Sequence, residues 1–152
     1  MRKGGRGIQA ESDAVLAREG TPNDYGHRSL PDGSVVVTSG GALRCTHVLH
    51  AVGPVWRGGA KARHNPTSRV LEQTLQACFA KAHELGVASL SLPAISSGIF
   101  NFPSDLCASL SLECAARFFG AHPASPLARP ALPRSWVVFK SPSQNRMSHC
   151  AC

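Results

Sequence analysis

Apolar positions in the first third of the chain gather in two short runs that are separated by polar, turn-rich segments. Residues 34–38 form a β-branched run bounded by glycines, and Thr46–Val52 is a second apolar run that stops at Gly53 and Pro54. Both patterns predict strands. The connection from Ser39 to Cys45 is seven residues long, whereas a parallel crossover needs about a dozen or more. We therefore expect the two strands to pair antiparallel at one edge of a sheet.

A longer apolar stripe with helical spacing follows and predicts a helix over Pro66–Gly86. Asn65 is suited to cap the first turn, Pro66 to occupy the first helical position, and Gly86 to end the helix in a left-handed conformation. The apolar residues of the stripe are Val70, Leu71, Leu75, Cys78, Phe79, Ala82 and Leu85.

Weaker patterns complete the set of predicted elements. Ile8–Gly20 is predicted as a short helix with acidic residues early and Arg18 late, and Thr21–Gly33 as a turn-rich loop. Further along, the pattern predicts a strand at Ala88–Leu92, a helix from Ser104 to Gly120 that Ser104 caps, a strand at 136–139 and a loose tail at 141–152.

The alternation of strands and helices indicates the fold class. Strands joined by helices of this length require right-handed parallel crossovers. The sequence therefore predicts a three-layer α/β fold, in which a mixed sheet with a parallel centre and an antiparallel edge lies between helices. A chain of 152 residues is long enough for one domain rather than two, and we place that domain at residues 4–140.

Charge and cysteine content narrow the expected partners and compartment. Sixteen Lys and Arg against nine Asp and Glu give a net charge of +7, which favours polyanionic partners in general. The basic run Arg57, Lys61, Arg63 and Arg69 is compatible with a solvated surface and with a binding patch. Six cysteines without a CxxC pair are typical of a reducing compartment, so we expect the protein in the nucleus or cytoplasm.

The stretch from Pro93 to Pro103 has the strongest candidate chemistry. It leaves the carboxyl end of a predicted strand and leads into the helix that begins at Ser104, and ligands of open α/β sheets bind in that crevice. Adjacent hydroxyls at Ser96 and Ser97, next to Gly98, supply donors that can approach a phosphate closely. A plain turn between a strand and a helix is equally compatible with these residues.

This stretch, PAISSGIFNFP, resembles the macrodomain family, as do THVLHAVGPVW upstream and IQAESD near the start. The nearest likeness is to macrodomains attached to poly(ADP-ribose) polymerase-type transferases, and it extends over residues 4 to about 139. The resemblance implies a mixed sheet between helices that binds ADP-ribose at the strand ends, without a cofactor. The residues that it implies for binding are Ala94, Ser96, Ser97, Gly98, Ile99, Phe100 and Asn101.

The sequence departs from the family pattern in two places. Asn101 stands where the family has glycine, and Asn is the best-tolerated replacement if that position needs a positive φ. The family's first strand and its Asn-rich segment, which holds the catalytic Asn of the hydrolytic members, have no counterpart, so we expect an N-terminally incomplete macrodomain. We therefore expect a monomeric module that recognises ADP-ribose or mono-ADP-ribosylated protein without catalysis. The alternatives are an ADP-ribosyl-protein hydrolase and a truncated chain that binds no ligand.

Other residue patterns give weaker hypotheses. Cys45, His47 and His50 suggest a metal site, but on a strand Cys45 and His47 share one face while His50 points to the other, so we predict no metal site there. Ser96 and Ser97 lack a base and a GxSxG elbow, so we predict no catalytic residue. We expect neither a membrane nor nucleic acid as a partner, and a basic nucleic-acid binder is the last alternative.

Overall fold

The computed structural model describes residues 5–22, 27–58, 65–128 and 137–139. β1 and β2 form a two-stranded antiparallel ribbon, and β3, β4 and β5 form a three-stranded sheet with β4 in the centre. In chain order the elements are α1 (Gly5–Glu19), β1 (Thr21–Pro22), β2 (Arg28–Ser29), β3 (Val35–Ser39), β4 (His47–Ala51), α2 (Pro66–Glu84), α3 (Ser104–Ala121), a 3-10 turn (Pro126–Ala128) and β5 (Val137–Phe139).

The three-stranded sheet has the mixed pairing that the sequence predicts. β4 is antiparallel to β3 and parallel to β5, and Leu49 lies opposite Val37 on one side and Phe139 on the other. The short link at 40–46 forces the antiparallel pair, whereas the chain passes through α2 and α3 before it reaches β5. The predicted α/β fold with an antiparallel edge is confirmed. Trp136, which the prediction places in the last strand, lies outside the described residues.

One face of β3 and β4 forms the main core with α2 and α3. Val35 and Val37 of β3 lie opposite Ala51 and Leu49 of β4, and residues two apart on a strand share a face. A Val or Leu side chain stabilises the fold by about 1.5–3 kcal/mol when it is fully buried. Fully buried members of this core include Leu49, Leu71, Leu75, Cys78, Phe102, Leu110 and Cys114.

The opposite face of the strand pair lies on the side of α1. There the Thr38 hydroxyl and Nε2 of His50 are hydrogen bonded at 2.9 Å in a buried position. Ile8 of α1 is buried, and Glu11 of α1 accepts hydrogen bonds from the N–H of Ser39 at 2.7 Å and from its hydroxyl at 2.5 Å. Since Ser39 ends β3, the Glu11 carboxylate joins the helix to the sheet.

Both ends of α2 have the caps that the sequence predicts. The Asn65 side chain accepts a hydrogen bond from the N–H of Thr67 at 2.9 Å, and Pro66 is the first helical residue. Leu85 is the C-terminal cap, and Gly86 follows with a φ of 65°, which glycine adopts without a steric penalty. Local sequence signals therefore define this helix.

The prediction of a strand at Ala88–Leu92 is wrong. The structure assigns no strand there, and no described strand pairs with this segment. A strand needs a neighbour to complete its hydrogen bonds, whatever its apolar pattern suggests. The apolar pattern instead reflects burial, because Leu90 and Leu92 pack against the core.

The predicted starts of the other two helices need correction. α1 begins at Gly5, before the predicted start, so its first turn has no acidic residue. Burial of Ile8 outweighs the weak helix propensity of the preceding glycines. Ser104 is the first residue of α3 rather than its cap; Pro103 takes the cap position and has no side-chain acceptor to offer. The ribbon formed by β1 and β2 lies within the segment predicted as a loop.

α2 is 19 residues long, and its outer face is polar, with an ion pair of 2.5 Å between Lys81 and Glu84. Within the described ranges, no helix has both the length and the apolar content needed to cross a lipid bilayer. The tail predicted at 141–152 lies outside those ranges.

The substitution Glu11→Gln tests the bond between α1 and the sheet. Hydrogen bonds from the hydroxyl and N–H of Ser39 hold the pKa of Glu11 below its ordinary value of 4.5. A lowered pKa stabilises the folded chain above the ordinary value, and the stabilisation is lost as the pH falls through the folded-state pKa. In scanning calorimetry we expect the wild type to melt above Glu11→Gln at neutral pH and the difference to vanish as the pH falls through the lowered pKa of Glu11.

Asp13→Asn provides the control, because Asp13 lies on the same helix and accepts from Gln9 rather than from the sheet. A difference between the wild type and Glu11→Gln that stays constant with pH would contradict the assigned role of the carboxylate.

Candidate functional site

The loop Pro93–Pro103 is fastened to the core by two side chains. Ile95 and Phe102 are buried, with 8% and 1% of their surface exposed. The Phe102 ring also meets Trp56 edge to face, with the ring centroids 5.0 Å apart, an arrangement that aromatic pairs prefer. Residues 96–101 therefore form a closed loop between two buried anchors.

Hydrogen bonds close the loop on itself. The N–H of Phe102 donates to the carbonyl of Ser96 at 3.0 Å, which joins the two ends. Ser97 donates to the carbonyl of Ala94 twice, from its N–H at 3.3 Å and from its hydroxyl at 2.8 Å. The Ser97 hydroxyl therefore stabilises the shape of the loop.

Two non-glycine residues of the loop have positive φ angles. Ser96 has a φ of 65° and Asn101 a φ of 53°, and the N–H of Asn101 donates to the carbonyl of Gly98 at 2.9 Å. Asn tolerates this region better than most residues, so the expectation for a position where the family has glycine is confirmed. Ser96 is a less usual choice, and such strain often marks functional loops.

The segment that follows β4 packs against the loop. The N–H of Trp56 donates to the carbonyl of Phe100 at 2.9 Å. A Cβ added at Gly53 would lie 2.2 Å from Oγ of Ser96 and 2.5 Å from Cγ2 of Ile95, so only glycine allows this approach. Among the described residues, the buried Oγ of Ser96 has no hydrogen-bond partner.

The outer part of the loop presents unoccupied backbone donors. Within the described ranges, the N–H groups of Gly98, Ile99 and Phe100 donate to no backbone carbonyl. A Cβ at Gly98 would meet nothing within 4 Å, so the space beside Gly98 is open. Consecutive backbone N–H groups in a tight loop are suited to bind an anion.

Apolar surface borders these donors. Ile99 is 66% exposed and Val55 is 45% exposed, while the Phe100 side chain is half-buried. Large exposed apolar side chains in a monomer are informative when they cluster at a polar site. The combination of anion donors and apolar neighbours suits a ligand that carries phosphates and a sugar or base.

The chemistry around the loop favours binding an anion over covalent catalysis. The segment from Pro93 to Pro103 contains no acidic residue, and the exposed Arg57 follows Trp56 directly. Below the loop, Cys107 donates its thiol to the carbonyl of Ile95 at 3.3 Å. Burial raises the pKa of Cys107, so the thiol stays protonated and is a poor nucleophile.

The structure brings all seven predicted ligand-binding residues into this one loop. Ala94, Gly98, Ile99 and Asn101 are exposed, whereas Ser96, Ser97 and Phe100 are half-buried. The sequence prediction missed the supporting residues Gly53 and Trp56. The available signal was the glycine that directly follows the buried run of β4, because a glycine there permits close packing of another segment.

The other residues considered from the sequence do not converge. Cys45 lies in a bend before β4, His47 begins that strand, and His50 is buried within it. In the part of the chain that the structure describes, no three metal-binding side chains come together. Of the basic run, Arg57 and Arg69 are exposed, and its other two members lie outside the described residues.

The fold and the loop define an α/β module. Its candidate ligand site is the loop that leads from the core into the start of α3. The model of the Macro domain family matches residues 1–111, which is more than half of the chain. The chain therefore belongs to the macro domain family, and the prediction of that family is confirmed.

Three relatives with similar sequences come from bacteria and archaea. An uncharacterised protein of Thermotoga maritima is 37% identical over 123 residues, which cover 81% of this chain and 18% of that protein. An uncharacterised protein of Saccharolobus solfataricus is 39% identical over 108 residues, covering 71% of this chain and 52% of its own length. O-acetyl-ADP-ribose deacetylase 2 of Pantoea vagans is 34% identical over 112 residues, which cover 74% of this chain and 58% of that protein. The chain thus spans less than two thirds of each relative.

Solved macrodomains share the fold. A macrodomain mutant of Oceanobacillus iheyensis superposes with a TM-score of 0.64 at 22% identity, covering 93% of this chain and 63% of that chain. A Trypanosoma brucei macrodomain in complex with ADP-ribose gives a TM-score of 0.55 at 21% identity, and the match covers 74% of this chain and 42% of that chain. At such identities the likeness shows the fold alone.

The substitution Gly53→Ala tests whether the chain after β4 supports the loop. The added Cβ would overlap Ser96 and Ile95, and overpacking of this kind costs about 1–3 kcal/mol. We expect a loss of that size in the free energy of unfolding, measured by urea denaturation. Gly98→Ala is the matched control, because a Cβ there meets open space. Equal stability of the two variants would contradict the close approach.

Proposed function

We propose that this chain binds ADP-ribose through the loop Pro93–Pro103, with Ala94, Ser96, Ser97, Gly98, Ile99, Phe100 and Asn101 as the ligand-binding residues. The observation that supports the proposal best is the row of N–H groups at Gly98, Ile99 and Phe100 that bond to no backbone carbonyl of the described residues. Buried anchors on both sides fix the loop, so little conformational entropy is lost when a ligand binds.

The diphosphate of ADP-ribose fits the donors of the loop. Charge-assisted hydrogen bonds from backbone N–H groups to phosphate oxygens are stronger than neutral ones. Gly98 lets the phosphates approach because it has no side chain above the N–H groups. Ile99 and Phe100 offer apolar surface to a ribose or a base, and the net charge of +7 favours an anionic ligand in general.

The biological partners follow from this ligand. We propose free ADP-ribose or mono-ADP-ribosylated proteins as partners, a monomeric chain, no bound cofactor, and a nuclear or cytoplasmic location. The likeness to macrodomains of poly(ADP-ribose) polymerase-type proteins stays a prediction. In support of the ligand, similar solved macrodomains carry ADPR in one case and ADP-ribose in another.

A hydrolase is the second candidate, because two relatives bear the name O-acetyl-ADP-ribose deacetylase. One from Enterobacter cloacae is 33% identical over 93 residues, and the Pantoea vagans protein is 34% identical over 112. The loop itself supplies no activated nucleophile: Ser97 donates its hydroxyl to a carbonyl, and the buried Ser96 hydroxyl has no described base beside it. A binding module is therefore the better-supported function.

Calorimetric titration with ADP-ribose tests binding at the loop. We expect saturable binding by the wild type, with AMP and ribose phosphate binding more weakly. Gly98→Glu places a carboxylate in the path of the diphosphate, so we expect affinity to fall at least tenfold, about 1.4 kcal/mol. Because a side chain at Gly98 meets open space, the melting temperature should change little.

Gly120→Glu is the matched control for that titration, because Gly120 also has open space around it and lies near the far end of α3. Unchanged affinity in Gly98→Glu would overturn the site. A folded wild type that gives no binding heat would instead support the alternative of a chain without ligand binding.

The deacetylase alternative has its own test. O-acetyl-ADP-ribose is incubated with the wild type, and acetate release is followed by NMR. We expect binding of this ligand without acetate release above the enzyme-free rate, since the loop lacks a nucleophile with a base beside it. Acetate release by the wild type that Gly98→Glu abolishes would reassign the same site to an enzyme.

A further inference from the structure

Two histidines meet where α2 and α3 end. His83 lies in the last turn of α2, and His122 is the C-terminal cap of α3. Their ring centroids are 5.2 Å apart, and the ring planes are tilted by 52°. The turn that follows α3 joins them, because the N–H of Ser125 donates to the carbonyl of His122 at 3.0 Å and the Ser125 hydroxyl lies 3.1 Å from Nδ1 of His83.

The hydrogen bonds indicate which ring nitrogens are free to bind a metal. Nδ1 of His122 lies 3.1 Å from the carbonyl of Phe118. A carbonyl only accepts, so Nδ1 of His122 carries the proton and Nε2 carries the lone pair. The Ser125 hydroxyl can accept from Nδ1 of His83 in the same way. Metal-binding histidines show this arrangement, in which one nitrogen donates to a protein acceptor and the other binds the ion.

The spacing of the rings fits one shared ion. With Zn–N bonds of about 2.0–2.1 Å, a ring nitrogen about 1.1 Å from its centroid and a tetrahedral angle, the two centroids of a histidine pair lie about 5 Å apart. The observed separation is 5.2 Å. We propose that His83 and His122 bind one divalent transition-metal ion, of which Zn²⁺ is the representative, through their Nε2 atoms.

The surroundings of the pair suit such an ion. Phe118 stacks on His122 with the centroids 4.5 Å apart, and it meets His83 at 6.0 Å. Phe79 and Phe119 pack against Phe118 in turn. These aromatic neighbours hold the two imidazole rings in orientation, while the exposed position of His122 lets an ion reach the pair from solvent. Since no third metal-binding side chain joins them within the described residues, water completes the tetrahedral coordination.

The metal site is independent of the loop proposed for ADP-ribose. The loop leads into the start of α3, whereas His122 follows its last residue. A helix of 18 residues is about 27 Å long, so the two sites lie at opposite ends. A bound ion would join the ends of α2 and α3 and would stabilise the fold by mass action.

Titration of the full-length chain with zinc chloride tests the site. By calorimetry we expect the wild type to bind one ion at the pair, and in thermal unfolding its melting temperature should rise with the zinc concentration. His122→Phe keeps a ring to stack on Phe118 but removes both nitrogens, and His83→Gln removes the other ligand. Each variant should lose this binding event and its temperature shift. His47→Gln, which changes a histidine on β4, should retain both.

A metal-free melting curve establishes that each variant folds. Zinc binding that is the same in His122→Phe, His83→Gln and the wild type would overturn the proposal and assign the ion to other groups, such as the thiols of Cys150 and Cys152. The absence of any zinc-dependent shift in the wild type would overturn it as well. ADP-ribose titration of His122→Phe should be unchanged, which separates this site from the loop.

Discussion

The close approach of Gly53 to Ser96 and Ile95 is the contact on which the candidate site depends. The central strand β4 is fixed by neighbours on both sides, and Gly53 follows it within two residues of its end. Because Gly53 has no side chain, the loop can lie directly against the chain that leaves the sheet. The N–H of Trp56 then donates a hydrogen bond to the carbonyl of Phe100. The shape of the loop is therefore set by the sheet as well as by its own sequence.

The features that the sequence predicts correctly depend on interactions between near neighbours in the chain. The caps of α2 need only Asn65, Pro66 and Gly86 in their places. The antiparallel pair β3–β4 follows from the short connection between the strands. The loop and its family likeness could likewise be identified from one continuous stretch, and the positive φ of Asn101 could be anticipated from the residue type.

The features that the sequence prediction missed depend on distant partners. Ala88–Leu92 has a strand-like composition, but strand formation requires a neighbouring strand that composition does not reveal. The support from Gly53 and Trp56 joins segments about 40 residues apart in the chain, and no local pattern indicates such a contact. The pairing of His83 with His122 is of the same kind, since the two histidines meet only because α2 and α3 pack together.

The open space at Gly98 also affects how this position can diverge among relatives. Packing places little demand on the residue, because a Cβ there would meet no atom of the described protein within 4 Å beyond its chain neighbours. Selection on the position would then come from the ligand alone, whereas Gly53 is held by packing whether or not a ligand binds. In a lineage that lost its ligand, the residue at 98 would drift while the residue at 53 stayed glycine. A comparison of the two positions among relatives would thus separate selection for ligand binding, at 98, from selection for packing, at 53.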